Sequence, residues 1–267
     1  MARKKVTANP PPLSINYRPL YPWALDDLLA ETSSLTSLVD WRAHLDSEPD
    51  FKRRAFGREH DTYISGRPCT VGEPVCVDNR SNDGGPFFFF YQTVFKCIRQ
   101  CLPFNSFERE LLMGINVAQA QLHPNNWAFI RAFSILCNFF DHAPSVDVFL
   151  HFFEAKSPGK NLWVSFSGII GRVILTLYQQ SYKGFNDKFF RVCYSEQDRT
   201  ALNGFPLYWV GKLKFKKDKT LDELSSADRE VCQVLASLGV IFNTAELIKN
   251  EYSPTGLAGY IGIKILS

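Results

Sequence analysis

Acidic residues are the first candidates for chemistry in this chain, because three spaced carboxylates can hold the two metal ions of a nuclease or transposase. Asp141, Asp147 and Glu154 lie close together in the sequence. The pattern around them places their side chains on different helix faces or in turns, so no shared metal site is predicted. The sequence also lacks a P-loop and any Gly-x-Ser-x-Gly, Asp-Ser-Gly, Asp-Thr-Gly or Tyr-x-Asp-Asp motif, which would mark phosphate-binding, hydrolase, protease or polymerase sites. We therefore predict no catalytic residue, no metal and no cofactor.

Cysteine and histidine are the remaining candidate ligands, and their spacing is typical of core residues. Cys97 and Cys101 lie four apart on a predicted helix and share a face, but no Cys-x-x-Cys or His-x-x-x-His accompanies them. The seven cysteines are odd in number and irregularly spaced, which predicts reduced thiols rather than disulfides. His123 precedes a proline and fits a cap or turn. His151 lies among phenylalanines and fits a hydrogen-bonded core or rim histidine.

A cluster of lysines is the one candidate for nucleic-acid contact: Lys212, Lys214, Lys216, Lys217 and Lys219. In a strand the first three would face one way, and Leu213 and Phe215 the other. Such a row can bind phosphates without sequence preference. It is also typical of a solvated strand face that is protected against edge-to-edge pairing, and the net charge of only +3 favours this second interpretation.

The composition predicts a folded globular chain. Of the 267 residues, 45% are hydrophobic and 14% aromatic, with 23 phenylalanines, which is too apolar for a disordered protein and enough to bury a sizeable core. The basic residues at 3–5 could form half of a nuclear address, but no apolar stretch of a secretory signal follows them. The longest strongly apolar run is 87–91, far below the roughly 20 residues that span a bilayer. We predict an intracellular protein, cytoplasmic or nuclear, that is neither secreted nor in a membrane.

The sequence of residues 1–86 predicts little regular secondary structure. Consecutive prolines at 10–12 favour an extended tail, which we expect to be disordered over 1–20. Apolar residues at helical spacing predict one helix beginning near Trp23 and another over about 35–45. Residues 46–86 are polar and broken by proline and glycine, which predicts a long connecting region with one short strand at 75–77.

From residue 87 onwards the helical spacing becomes regular, and it predicts helices over about 91–101, 105–114, 125–140, 146–153, 225–238 and 244–249. Asn105, with Glu108 three residues later, matches the capping-box pattern. Segments 163–167, 189–194 and 208–215 predict strands, and 169–177 fits either a strand or a short buried segment. The predicted fold class is α+β and mainly α, with a small antiparallel strand group in the middle-to-late part. We expect a main domain over 87–267, with 21–86 packed on it or linked to it.

One motif at the start of a predicted helix resembles a known family. It consists of Gln121, Leu122, His123, Pro124, Asn125, Asn126 and Trp127, and it follows a Leu-Pro-Phe entry at 102–104. The chain resembles the gypsy-type transposon domain of plants, often labelled a transposase, in which Gln-Leu-His-Pro-Asn-x-Trp precedes a long aromatic helix. The likeness covers about 87–252, although the family usually has tryptophan where Phe185 stands. We predict structural roles for this motif, with Trp127 buried and Asn125 capping the helix.

The resemblance implies descent from the gag-like or accessory region of a long-terminal-repeat retrotransposon. Our first hypothesis is a non-enzymatic interaction or assembly domain that self-associates, with weak, non-specific nucleic-acid contact through the lysines. The alternative is a transposase or nuclease-type DNA-processing enzyme, which would need three convergent carboxylates. A degenerate copy without function is the third interpretation. Family members often continue into charged coiled-coil tails, so we expect a fragment or truncated copy.

Overall fold

A computed structural model describes residues 16–47, 49, 51–52, 64–78, 86–157, 159, 162–179, 184–194, 205–215 and 219–266. Within these ranges the helices are α1 (Asp26–Leu29), α2 (Leu38–Ser47), α3 (Gln92–Lys96), α4 (Ser106–Ile115), α5 (Pro124–Phe139), α6 (Val146–Phe152), α7 (Ser226–Ser237), α8 (Thr244–Asn250) and α9 (Pro254–Leu266). The strands are β1 (Ser65–Arg67), β2 (Phe87–Tyr91), β3 (Phe153–Lys156), β4 (Ser165–Gly168) and β5 (Phe189–Cys193). The predicted fold class, α+β and mainly α with small antiparallel sheets, is confirmed. Most of the predicted tail, 1–15, lies outside the described residues.

A three-stranded antiparallel sheet forms part of the core. β5 is the middle strand, flanked by β1 and β2, and its register pairs Phe87 with Cys193 and Tyr91 with Phe189. Every residue of β2 is buried. This burial explains the uninterrupted aromatic run of β2, because a strand covered on both faces has no solvent side that requires polar residues.

Helix α2 packs on this sheet, and the segment before it bonds to the turn that enters β5. Trp41 of α2 lies against Phe190 of β5, with ring centroids 4.9 Å apart, and its indole N–H donates to the Gly66 carbonyl of β1 at 3.0 Å. The backbone N–H of Ser34 donates to the carbonyl of Asp187 at 2.6 Å. These contacts connect the described part of 21–86 to the core, while the domain boundary after residue 86 stays a prediction.

The second sheet and the central helix lie beside each other. β3 pairs with β4 in antiparallel register, with Phe153 opposite Gly168. α5, a helix of 16 residues, packs against β4 and α8. α5 therefore connects the short sheet to the C-terminal helices.

Local capping chemistry fixes the start of two predicted helices. Asn105 accepts the Glu108 backbone N–H at 2.9 Å, and the Glu108 carboxylate accepts the Asn105 N–H at 2.9 Å, so the predicted capping box is confirmed. Ser225 caps α7 by accepting the backbone N–H of Asp228 at 3.0 Å. Gly239 follows α7 with a φ of +65°, a left-handed conformation that glycine adopts without strain.

Several sequence-based boundaries were wrong. Segment 208–215 was predicted as a strand, but its described residues form no strand. Segment 75–77 likewise forms no strand, and an isolated bridge joins the neighbouring Pro74 to Thr32. The helix predicted over 91–101 is only Gln92–Lys96, because Tyr91 completes β2 and Arg99 adopts a left-handed backbone conformation. Residues 169–177 form an irregular segment with one bridge between Leu175 and Phe242.

The C-terminal helix α9 was not predicted. Its sequence contains Gly256, Gly259 and Gly262, and each glycine lowers the intrinsic helix propensity by about 1 kcal/mol relative to alanine. The helix forms against the rest of the chain through buried Ile261 and half-buried Tyr260. In the part of the chain that the structure describes, each helix is too short or too polar to cross a lipid bilayer.

Candidate functional site

Gln121 of the motif acts as a bridge between three chain segments. Its side-chain amide donates to the carbonyls of Leu162 and Val210 at 3.0 and 3.1 Å. Its side-chain oxygen accepts the backbone N–H of Val210 at 3.2 Å. The amide group thus satisfies both backbone polar groups of Val210, as a neighbouring strand would.

His123 caps α5, and the prediction of an Asn125 cap was wrong. Nδ1 of His123 accepts the backbone N–H of Asn125 at 3.2 Å, and Pro124 occupies the first helical position. Proline suits that position because an N–H there would have no partner within the helix. The Asn125 side chain instead donates to the Gln179 carbonyl at 2.8 Å and accepts the Gln179 N–H at 3.2 Å.

Trp127 is fully buried, as predicted. Its indole N–H donates to the Gln119 carbonyl at 3.2 Å. Its ring stacks on Phe104, with centroids 5.2 Å apart and planes 13° from parallel. Leu122 forms a parallel bridge to Val164. The described contacts of Trp127 and Leu122 are therefore with other residues of the core.

The three candidate carboxylates do not come together as a metal site. Asp147 pairs with Lys219, at 3.5 Å between Oδ2 and Nζ. Glu154 pairs with Lys156 and accepts the Ser167 hydroxyl at 3.3 Å. Asp141 is exposed in the turn after α5. Among the described residues, no group of three or more histidine, cysteine, aspartate or glutamate side chains could hold a metal ion.

The lysine cluster is divided in the structure. Lys212 and Lys214 are exposed, while Leu213 and Phe215, which alternate with them, are half-buried, so the predicted alternation of sides exists without a strand. Lys216 and Lys217 lie outside the described residues. Lys219 is half-buried and paired with Asp147, and its backbone carbonyl lies 2.9 Å from Nδ1 of His151. Two of the described lysines therefore extend toward solvent together, and the third is held against the protein.

His151 and five of the seven thiols are buried. His151 is buried beside Phe152, with ring centroids 5.1 Å apart. All seven cysteines are free; Cys97 is exposed and Cys101 half-buried, and the buried ones are Cys69, Cys76, Cys137, Cys193 and Cys232. Burial raises the pKa of Cys76 to about 12 and that of Cys137 to about 12. These two thiols therefore stay protonated near neutral pH, which disfavours a nucleophilic role.

An aromatic pocket of about 320 Å³ was missed by the sequence analysis. Its described lining consists of Glu31, His123, Gly159, Trp163, Ser165, Phe185 and Asn186. Oε1 of Glu31 accepts the indole N–H of Trp163 at 3.4 Å. Oε2 of Glu31 is buried and has no hydrogen-bond partner among the described residues. Burial, together with the nearby charge of Asp27, raises the pKa of Glu31 to about 7. No local sequence pattern predicts this pocket, because its residues come from four separate segments.

An apolar stripe on α9 is the second feature that sequence reasoning missed. Gly259, Gly262, Ile263 and Leu266 follow one another at spacings of three, one and three residues, so they share one face of the helix. Ile263 is 71% exposed and Leu266 is 90% exposed. A Cβ atom added at Gly259 or Gly262 would meet nothing within 4 Å among the described residues. The stripe therefore contacts solvent in the isolated chain. The apolar residues of this segment recur at helical spacing. That spacing would have indicated the stripe if the low helix propensity of the glycines had been set aside.

Comparison with known proteins confirms the resemblance to gypsy-type elements. The family model described as "Putative gypsy type transposon" matches residues 91–157, a range that includes the whole motif from Gln121 to Trp127. No curated protein and no solved structure matches the chain. The matched residues cover α3 to β3, while the aromatic pocket and the α9 stripe are formed partly or wholly by residues outside them.

Proposed function

We propose that this transposon-related chain is a non-enzymatic, gag-like assembly domain whose copies associate through α9. The observation that carries the proposal is the exposed apolar stripe of Gly259, Gly262, Ile263 and Leu266. A helix that is apolar on every side normally lies inside a protein. α9 has a second apolar side, Ile261 and Tyr260, which already packs on the core, so the stripe is the side that remains for a partner.

The shape of the stripe favours a second copy of the chain as the partner. In a twofold interface the same patch occurs on both subunits and must be complementary to itself. On α9, two large side chains, Ile263 and Leu266, lie beside two glycines with open space above them. In an antiparallel pair of α9 helices, the large residues of one copy can fill the space over the glycines of the other.

The charge of α9 supports the same assignment. Lys264 is its only charged residue, and it is half-buried rather than on the exposed stripe. The stripe therefore offers no charged group that would require a partner of opposite charge. A single pair of short helices buries a small area, so we expect weak association that depends on concentration.

Light scattering across a concentration series tests this function. The chain should change from monomer to dimer as concentration rises, and Ile263→Glu should remain monomeric because a charge would be buried in the interface. Ile170→Glu is the matched control: Ile170 is 97% exposed and lies outside α9, so this variant should dimerise like the parent. A parent chain that stays monomeric throughout, or loss of dimer in both variants, would contradict the proposal.

A further inference from the structure

We propose that a recess between the turn after β4 and the end of α7 binds a small aliphatic carboxylate through Arg172. The recess has a volume of about 210 Å³. This inference goes beyond the assembly function, because none of the described lining residues belongs to α9. The lining includes the cation and a set of apolar side chains: Arg172, Phe152, Ile174, Leu235, Val240 and Ile241.

The guanidinium group of Arg172 has one edge without a partner among the described residues. Its Nη1 donates to the carbonyls of His151 and Lys219, each at 3.3 Å, and these two bonds fix the position of the group. Its Nε and Nη2 make no hydrogen bond within the described part of the chain, and neither is a buried atom. Three of the five N–H donors of an arginine are therefore available to a ligand.

The same edge binds a carboxylate in two other arginines of this chain. Nε and Nη2 of Arg131 contact Oε2 of Glu251 at 3.1 and 2.7 Å. Nε and Nη2 of Arg191 contact the carboxylate oxygens of Glu73 at 2.9 and 2.5 Å. Parallel N–H groups of this kind match the two oxygens of a carboxylate and give strong, directional bonds. Arg172 therefore offers to a ligand the donor pair that elsewhere in the chain is already occupied by glutamate.

The rest of the recess selects for an apolar group beside the carboxylate. Phe152, Ile174 and Leu235 are buried, while Val173 and Ile241 are 39% and 50% exposed and contribute apolar surface to the opening. An inorganic anion would leave this surface without a contact, whereas an aliphatic acid uses both the cation and the walls. The volume lies below the roughly 300 Å³ at which common ligand sites begin, so it suits a small acid rather than a large cofactor.

Backbone hydrogen bonds hold the two sides of the recess together. The N–H of Phe242 donates to the Ile174 carbonyl at 2.9 Å, and the N–H of Thr176 donates to the Phe242 carbonyl at 2.9 Å. This pairing joins the segment that carries Arg172 to the segment that follows α7. The N–H of Arg172 itself donates to the Ile169 carbonyl at 2.9 Å, which closes the turn after β4. A site that is formed before the ligand arrives loses little entropy on binding.

Titration of the full chain with isocaproate at constant ionic strength, followed by saturation-transfer NMR of the ligand, tests the proposal. Isocaproamide has the same shape without the charge, and acetate has the charge without the apolar group. We expect saturable binding of isocaproate and about tenfold weaker binding of each control, because each lacks one of the two contacts. Equal binding of isocaproate and either control, or no saturable binding of isocaproate, would overturn the proposal.

Substitutions of Arg172 separate its paired donors from its charge. Arg172→Gln should weaken isocaproate binding about tenfold or more. Arg172→Lys keeps the charge but lacks the paired donors, so its affinity should lie between those of Arg172→Gln and the parent. Arg229→Gln is the matched control: Arg229 is also half-buried and donates to two backbone carbonyls, but it does not line the recess. Retention of the parent's affinity in Arg172→Gln would overturn the proposal.

A substitution on the opposite wall tests the site while Arg172 stays in place. Ala236 of α7 is exposed and lines the recess, and both alanine and leucine are good helix formers. Ala236→Leu should fill the recess and prevent saturable binding of isocaproate. Ala227→Leu, at an exposed position of the same helix outside the recess, should bind like the parent. Equal binding by Ala236→Leu and the parent would overturn the proposal.

The source of the carboxylate is decided by a second comparison. A short peptide that ends in leucine with a free carboxylate represents the terminus of a protein, and isocaproate represents a free acid. Tighter binding of the peptide would assign the site to a chain terminus, and tighter binding of isocaproate would assign it to a small acid. Binding of neither would overturn the proposal.

Discussion

Trp163 donates its indole N–H to the carboxyl group of Glu31 at 3.4 Å, across 132 residues of sequence. This contact joins the segment after α1 to the segment that enters β4. The carboxyl group that accepts this hydrogen bond has its second oxygen buried without a partner among the described residues. The consequence of that burial can be measured in the stability of the fold.

The stability of the fold should fall as pH rises toward 7. The pKa of Glu31 is raised from 4.5 to about 7 by burial, so between these values the folded chain keeps a proton that the unfolded chain releases. Stability from this group is therefore fully present below about pH 4.5 and is lost as pH rises through about 7. Urea unfolding of the parent and of Glu31→Gln across this range checks the effect. The difference between the two should change with pH, and parallel curves would contradict the assignment.

Replacing Trp127 should strongly destabilise the chain. Trp127→Ala removes a fully buried ring and should lower the free energy of unfolding by about 3–5 kcal/mol. Trp127→Phe keeps an aromatic ring against Phe104 but loses the hydrogen bond to the Gln119 carbonyl, so its effect should be smaller. Denaturant unfolding of both variants measures these differences. A cost for Trp127→Ala within the roughly 0.5 kcal/mol typical of surface positions would show that the ring does not support the core.

The hydrogen bonds of Gln121 should contribute to the free energy of unfolding, in addition to the burial of its side chain. Gln121→Leu would leave the carbonyls of Leu162 and Val210 and the Val210 N–H without this partner, and each buried polar group left unpaired costs about 1–3 kcal/mol. Gln121→Glu keeps an acceptor but loses both donated bonds, and it too should destabilise. Denaturant unfolding should show both variants less stable than the parent, and a neutral Gln121→Leu would refute the role assigned to the bridge.

Nucleic-acid contact through the lysines stays a prediction with a defined salt signature. If Lys212, Lys214 and Lys216 each bind a phosphate of single-stranded RNA, log affinity should fall against log salt with a slope of roughly −2, at about −0.7 per contact. Changing all three to glutamine should remove most of that slope. Lys219→Gln should change it little, since Lys219 pairs with Asp147. Absence of binding at low salt, or equal binding by the triple variant, would end this hypothesis.

Local chemistry made part of the fold predictable. The α4 start depends on Asn105 and Glu108, which lie three residues apart, and the capping box could be recognised without knowledge of the rest of the chain. β5 was likewise predictable from its run of aromatic and β-branched residues. The burial of Trp127 followed from the structural role predicted for the motif that ends with it.

Distant contacts decided the elements that sequence analysis missed. Segment 208–215 has a strand-like composition but forms no strand, and the side chain of Gln121, 89 residues away, pairs with both backbone polar groups of Val210. α9 forms despite its glycines because Ile261 is buried against the core. The aromatic pocket forms where four segments of the chain meet in space. No local sequence pattern around Glu31 distinguishes this residue from an ordinary surface glutamate.

Hydrogen–deuterium exchange at two protein concentrations tests the central claim, that copies associate through α9, most directly. At a few micromolar, the α9 amides at 259–266 should exchange readily, and at several hundred micromolar they should become protected as the weak dimer forms. Amides of α7 should exchange at the same rate at both concentrations. Protection of α9 that does not change with concentration, in samples where light scattering detects dimer, would contradict the account.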